Sequence, residues 1–158
     1  LHFMAQTNVG IGELAVSNKP EDHIKTFGLG SCVAIIALDP KTRAVGLVHV
    51  ALPDSSINPE KATKLPGYFA DTAIPRLICE MSKLGCHSKG VGLIIKIIGG
   101  AQVMDPNQRF NIGKRNILTI KKLLWSIKIA VVVEETGGSI SRTVDVDVKT
   151  GRVTISQT

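Results

Sequence analysis

The chain has 158 residues, of which 44% are hydrophobic and 20% are charged, and its formal net charge is +6. This composition excludes intrinsic disorder, because apolar residues are plentiful and charges are sparse. No apolar run approaches the roughly 18 residues that a membrane-spanning helix needs, so we expect no membrane insertion and one domain over residues 1–158.

The N-terminus carries no basic region followed by a long apolar stretch, so we expect no secretory signal there. Met4 is the expected natural start, which would make residues 1–3 a cloning remnant. Hydrophobic patterning then predicts short strands and a tight turn. These are strands over 9–17 and 24–27, a buried strand over 33–38, a turn at 39–42 and a return strand over 43–52.

The stretch 53–67 is polar and contains three prolines, which predicts a surface loop. Apolar residues then recur at helical spacing from Ala70, and Gly85 is a suitable stop for that helix. The rest of the chain predicts strands over 93–98 and 129–133, a second helix after Asn111 with Ile117, Ile120, Leu124 and Ile127 on its apolar face, and a hairpin of 143–148 with 152–156. Hairpins combined with crossover helices indicate an α+β or mixed α/β layered domain.

Three cysteines at unrelated spacings argue against a disulfide framework and predict a reducing, cytoplasmic location. The histidines and cysteines show no metal-ligand spacing, so we expect no metal or other cofactor. Scattered basic residues and only six aromatic side chains make nucleic-acid binding a poor interpretation of the positive charge.

The first chemical candidate is the sequence GLGSC at residues 28–32, a glycine-rich turn that brings Cys32 to the start of a buried strand. In the functional interpretation, Cys32 is a nucleophile, and Gly30 and Ser31 belong to a backbone pocket for an oxyanion. The alternative is a small buried side chain after a tight turn, which is what most free cysteines are.

His49 lies in an apolar strand that the predicted hairpin places beside the strand of Cys32. A neighbouring imidazole can take the proton of a thiol and stabilise the thiolate, so we expect the pKa of Cys32 to fall below its usual value of about 8.5. The alternative is a core histidine bonded to a backbone carbonyl, and both interpretations stay open at this point. Thr26 suits a strand end and has no role on its own evidence.

Six short motifs follow one another in order along the chain. They are TFGLGSC at 26–32, HVALPDS at 49–55, YFADTA at 68–73, GGA at 99–101, FNIGKRN at 110–116 and TGG at 136–138. Together they resemble the chemoreceptor glutamine deamidase family, CheD, over nearly the whole chain. The resemblance implies a cysteine hydrolase, a protein-glutamine glutaminase, with Cys32 as nucleophile, His49 as general base and Thr26 assisting the histidine.

The resemblance also implies a sandwich of mixed, mainly antiparallel sheets flanked by helices, similar to bacterial toxin deamidases, and no cofactor. Its implied substrates are receptor glutamines, in some members also glutamate methyl esters, on the cytoplasmic helical bundle of chemoreceptors. The phosphatase CheC is an implied partner in many bacteria. Phe27 and Ala51 depart from the common family pattern, where leucine and methionine are frequent, and we expect both to alter the shape of the pocket.

Two other functions remain open from the sequence. The first is a regulatory binding module that docks CheC or a receptor while Cys32 is only structural. The second is an acyl transferase that uses the same thiol and imidazole with an amine acceptor. A basic group on the second helix is a candidate for steering acidic partners, although it is equally well an ordinary solvated face. That group is Lys114, Arg115, Lys121 and Lys122.

Overall fold

The computed structural model describes residues 5–102 and 111–158. The predictions for Met4, residues 1–3 and Phe110 lie outside these described residues. The strands are β1 (Ala5–Asn8), β2 (Leu14–Ser17), β3 (Asp22–Leu29), β4 (Val33–Leu38), β5 (Val45–Val50), β6 (Ile94–Gly99), β7 (Val131–Thr136), β8 (Arg142–Asp147) and β9 (Val153–Gln157). The helices are α1 (Pro59–Lys64), α2 (Ala70–Ser82) and α3 (Ile112–Ser126), with short 3-10 turns at Ser55–Ile57 and Pro66–Tyr68.

The strands form two sheets. One has five strands in the order β2-β5-β4-β6-β7, and the other has four in the order β1-β3-β8-β9. Neighbouring strands are antiparallel except for the parallel pairs β1 with β3 and β6 with β7. This confirms the predicted α+β class with mixed, mainly antiparallel sheets.

The two faces of the five-stranded sheet bury different partners, because successive side chains of a strand point to opposite sides. Ile35 and Val48 belong to a core cluster shared with α2 and α3. Ala34 and Leu47 belong to a second cluster shared with Ile24 and other residues of the four-stranded sheet. The described helices α2 and α3 therefore flank the stacked sheets on the side of the five-stranded sheet. None of the described helices is long and apolar enough to cross a membrane.

Several predicted elements are confirmed with shifted ends, and two predictions are wrong. The strand expected over 9–17 begins only at Leu14, because Gly12 has a φ of 81° and turns the chain before it. The stretch 53–67 is not a plain loop, because it contains α1. Asn58 caps that helix by accepting from the Lys61 N–H at 3.1 Å, and Pro59 occupies its first position.

The predicted hairpin is confirmed in detail. β4 and β5 pair antiparallel over their full length, from Val33 opposite Val50 to Leu38 opposite Val45. At the turn between them, the Asp39 N–H donates to the Ala44 carbonyl at 2.9 Å. This hairpin fixes the spacing between the end of β5 and the start of β4.

Candidate active site

The three predicted site residues come together in the layer between the sheets. His49 on β5 lies directly opposite Ala34 of β4, and Cys32 precedes Ala34 by two residues. Cys32 packs against the cluster between the sheets, so Cys32 and His49 share one face as diagonal neighbours across the strand pair. Thr26 reaches the same layer from β3 in the other sheet.

The hydrogen bonds of Thr26 set the protonation pattern of His49. The Thr26 hydroxyl donates to the Val9 carbonyl, with Oγ1 and O 2.6 Å apart, and the same Oγ1 lies 2.7 Å from His49 Nδ1. Because a hydroxyl has one proton, Oγ1 accepts from His49, and we assign the imidazole proton to Nδ1. His49 Nε2 then carries the free lone pair, and among the described residues it has no hydrogen-bond partner.

Burial favours the uncharged forms of both the Cys32 and His49 side chains. His49 is 1% exposed, and desolvation lowers its pKa to about 4. Desolvation also raises the pKa of the half-buried Cys32 thiol above its ordinary value. This shift is opposite to the lowered thiol pKa expected from the sequence. In the apolar layer between the sheets, the loss of hydration destabilises each charged form more than the neighbouring groups stabilise it. The resting pair at neutral pH is a thiol and a neutral imidazole.

Carbonyl groups hold the glycine turn before Cys32 in place. The Cys32 carbonyl accepts from the Gly100 N–H, and the Gly30 carbonyl accepts from the Ala101 N–H, both at 2.8 Å. Gly99 must lack a side chain, because a Cβ there would collide with the Cys32 carbonyl. The GGA motif therefore supports the turn that carries the thiol.

Two backbone N–H groups of this turn are free to donate hydrogen bonds to an anion. Within the described parts of the chain, no hydrogen bond is formed by the N–H of Ser31 or of Cys32. The N–H of Gly30 is already used, because it donates to the Gly28 carbonyl at 3.0 Å. An oxyanion pocket at Gly30 and Ser31 stays a prediction, and the free N–H groups of the described turn are those of Ser31 and Cys32.

Comparison with known proteins identifies the family. The family model described as CheD chemotactic sensory transduction matches residues 51–157. The chain belongs to the CheD family. A probable chemoreceptor glutamine deamidase CheD of Syntrophotalea carbinolica is 50% identical over 153 residues, which cover 97% of this chain and 94% of that protein. The chemoreceptor glutamine deamidase CheD of Thermotoga maritima is 40% identical over 147 residues, which cover 93% and 88%.

One solved structure, that of the Bacillus licheniformis hypothetical protein YfiH, superposes on 88% of this chain. The match covers 60% of the YfiH chain, with a TM-score of 0.42 and 10% sequence identity. A similarity this low supports no conclusion about activity. The family itself rests on the sequence matches, which confirm the resemblance carried by the six motifs.

Two further CheD motifs bind each other beside the site. The N–H groups of Ala51 and Leu52 donate to the Tyr68 carbonyl at 2.9 and 3.1 Å. The Asp71 carboxylate accepts from the Ser55 N–H at 3.0 Å and from its hydroxyl at 2.8 Å. Hydrogen bonds thus join the HVALPDS motif, which follows β5 beyond His49, to the YFADTA motif.

The two departures from the family pattern occupy different environments. Phe27 is 49% exposed, and the Lys25 ammonium lies 5.0 Å from the centre of its ring. Phe27 is thus about half exposed on β3, and its expected effect on the shape of the pocket stays a prediction. Ala51 is buried two residues after His49, where a change of side-chain size would be felt at the site.

The other thiols lie elsewhere. Cys79 is exposed on α2, and Cys86 is buried with its Sγ 3.4 Å from Thr42 Oγ1, just beyond the far end of β4. In residues 5–102 and 111–158, no group of three His, Cys, Asp or Glu side chains is placed to hold a metal ion.

Asn116 is a residue of the candidate site for which sequence analysis predicts no role. It is fully buried on α3 and donates to the carbonyls of Ser31 and Ala51. The helical periodicity of α3 indicates that Asn116 is buried, because it lies on the same face of the helix as Ile120 and Leu124, at intervals of four residues. The prediction of Ile127 on the apolar face is wrong, because Ile127 follows the end of α3 and is 43% exposed.

Proposed function

We propose that this protein deamidates selected glutamine side chains in the cytoplasmic helical bundles of chemoreceptors, using Cys32 as nucleophile and His49 as general base. The observation that carries the proposal is the Thr26 contact of 2.7 Å, which supports a neutral His49 with its free lone pair on Nε2. The names of the relatives supply the substrate class. The chemistry requires no metal or cofactor.

The first step forms a thioester. As Cys32 Sγ attacks the carboxamide carbon, its proton passes to His49 Nε2, so charge develops only during the attack. The N–H groups of Ser31 and Cys32 receive the oxyanion, and one such donor typically contributes about 2.7–4 kcal/mol. The His49 imidazolium then gives its proton to the departing nitrogen, which leaves as ammonia.

The second step releases glutamate. Neutral His49 takes a proton from water, whose oxygen attacks the thioester carbon, and the proton returns to Sγ as the thiolate leaves. A glutamate methyl ester would enter the same cycle with methanol as the leaving group, which is how we propose that methylesterase activity would arise. We place this activity in the cytoplasm, in one deamidase domain over residues 1–158, with CheC as a candidate regulatory partner.

The basic face of α3 supports an acidic partner. Lys114, Arg115 and Lys122 are exposed on this helix, whose buried Asn116 contacts the nucleophile turn. Lys121 contributes less free charge, because its ammonium lies 2.9 Å from the Glu134 carboxylate. We propose that this face speeds encounter with the acidic receptor bundle.

Mass spectrometry of a receptor cytoplasmic fragment tests the proposed function. After incubation with the protein, specific glutamine-containing peptides should gain the mass of an amide-to-acid conversion, and Cys32→Ala should produce none. Cys79→Ser is the matched control, because that thiol is exposed on α2. Unchanged glutamines combined with tight receptor or CheC binding would favour the binding module. Incorporation of an added primary amine in preference to water would favour the acyl transferase.

A further inference from the structure

Asn116 occupies a gap in the strand pairing next to the reacting groups. The β4–β5 ladder ends at Val33 opposite Val50, so Ser31 and Ala51 lie just beyond its last rung. The carbonyls of both residues accept from the same atom, Asn116 Nδ2, at 3.0 Å each. One side-chain amide from α3 therefore bridges two chain segments that the sheet no longer joins.

The chemistry of the two segments explains why the bridge is a primary amide. Two carbonyl oxygens that converge on one buried point repel each other and need separate donors. A primary amide nitrogen carries two N–H groups, so it satisfies both carbonyls at once. A hydroxyl has one donor and a carboxylate has none, so serine or aspartate cannot replace this bridge.

The bridge spans the nucleophile and the base. Ser31 is bonded directly to Cys32, and Ala51 follows His49 by two residues. The α3 helix is itself fixed against the turn, because a Cβ on Gly113 would collide with the carbonyl of Gly100, whose N–H holds the Cys32 carbonyl. Movement of Asn116 would therefore shift Cys32 relative to His49.

We propose that Asn116 is a positioning residue that sets the distance between the Cys32 thiol and the His49 imidazole. It acts through the backbone on either side of the reacting pair. This inference rests on the proposed thiol mechanism only for its effect on turnover, because its effect on thiol reactivity is measured without any receptor.

The primary test is a double-mutant cycle on the alkylation of Cys32 by iodoacetamide at neutral pH. In the parent chain His49 assists removal of the thiol proton, so His49→Gln should slow alkylation. Asn116→Leu, which keeps the side-chain volume but removes both donors, should slow it to a similar extent. The double variant should be no slower than either single variant, because both remove the same assistance.

Ile120→Val is the matched control, since it alters the next buried position of the same helix stripe at a typical cost of about 0.5–1.5 kcal/mol. It should leave the alkylation rate unchanged. Independent, multiplying effects of Asn116→Leu and His49→Gln would overturn the positioning role. Equal slowing by Ile120→Val would also overturn it, because the effect would then follow general loosening of α3.

If Asn116→Leu does not fold, hydrogen exchange of the native side chain supplies the test. Both Asn116 amide protons should exchange slowly, since each is buried and hydrogen-bonded, and rapid exchange of either would overturn the bridge. In receptor assays, Asn116→Leu should lower kcat by about 100-fold, the loss typical of a misplacement near 1 Å, with KM unchanged. If no receptor glutamine is converted by the parent chain, the proposed function fails while the alkylation cycle still decides the role of Asn116.

Discussion

A cysteine lies at each end of β4, and the two cysteines have different surroundings: Cys32 precedes the near end of the strand, and Cys86 lies beyond its far end. At the near end, Cys32 shares a face with His49, whose Nε2 lone pair is free among the described residues. At the far end, the Thr42 hydroxyl donates to the Asp39 carboxylate at 2.8 Å and contacts Cys86 Sγ at 3.4 Å.

Burial raises the pKa of the Cys32 thiol and of the Cys86 thiol. An elevated thiol pKa therefore does not distinguish Cys32 from Cys86. The difference lies in the neighbours, because only Cys32 has an unprotonated imidazole nitrogen on its face and unpaired N–H groups in the described part of its turn. Geometry, more than acidity, supports the proposal that Cys32 is the nucleophile.

The largest expected effect is the difference in activity between a variant that lacks the Cys32 thiol and one that lacks the Cys86 thiol. Cys32→Ala should lower deamidation by at least about 10⁴-fold, as loss of a covalent nucleophile does in other hydrolases. Cys86→Ala should stay within a few-fold of the parent rate when both are assayed below their melting temperatures. Comparable losses in the two variants would show that the near end of β4 is not special.

The second largest expected effect tests the role of the Thr26 hydroxyl. Thr26→Val keeps the side-chain shape but leaves the His49 Nδ1–H and the Val9 carbonyl without their partner. We expect kcat to fall by about 10–100-fold, because the imidazole loses its tautomer and orientation, with a stability cost of about 1–3 kcal/mol.

Thr26→Ser restores the hydroxyl and should recover most of the activity. If serine is as poor as valine, the methyl group of Thr26 matters instead of its hydrogen bonds. The matched change at the far end, Thr42→Val, should leave kcat unaffected.

The buried His49 should also make stability depend on pH. Its pKa is about 4 in the folded chain and about 6.5 when unfolded, so below pH 6.5 the unfolded chain binds a proton that the folded chain does not. The free energy of unfolding should therefore be highest above about pH 6.5 and fall as the pH approaches 4, by on the order of 3 kcal/mol.

Denaturant unfolding of the parent chain and His49→Gln, at several pH values, isolates this contribution. The two proteins differ only at residue 49, so the difference between the two curves belongs to His49. Parallel curves between about pH 6.5 and 4 would mean that the folded imidazole is not protected from protonation.

The smallest expected effect concerns the basic face of α3. Raising salt should slow receptor association several-fold, because exposed charges are screened beyond about 10 Å at 0.1 M. Lys114→Glu with Lys122→Glu should weaken that salt dependence, since both lysines are exposed on α3. Lys41→Glu with Lys149→Glu makes the same charge change at the far end of β4 and should not. Equal effects of the two pairs would leave α3 as an ordinary solvated face.

Local patterns predicted much of this molecule. The turn at 39–42 between two apolar runs was sufficient for the β4–β5 hairpin, and therefore for the proximity of Cys32 and His49. Contacts between distant elements were not predictable in the same way. Thr26 meets His49 only because a second sheet stacks on the first, and no local pattern encodes that stacking.

The same limit explains the reversed expectation for the thiol. A neighbouring imidazole alone suggests a stabilised thiolate, but the apolar cover that the four-stranded sheet provides decides the sign of the pKa shift. Asn116 was hidden for a related reason, since a polar residue in an apolar stripe indicates a buried partner without identifying it. The helix α1 was missed although its Asn-Pro start follows ordinary capping rules.

The most direct measurement of the neutral Cys32–His49 pair is the ultraviolet absorbance of the Cys32 thiolate, followed against pH as the difference between the parent chain and Cys32→Ser. Because burial raises the pKa of Cys32, the thiolate band should be absent near pH 7 and should appear only at a higher pH than for an ordinary thiol. A band already present near pH 6 and lost in His49→Gln would indicate a resting ion pair and contradict the neutral pair.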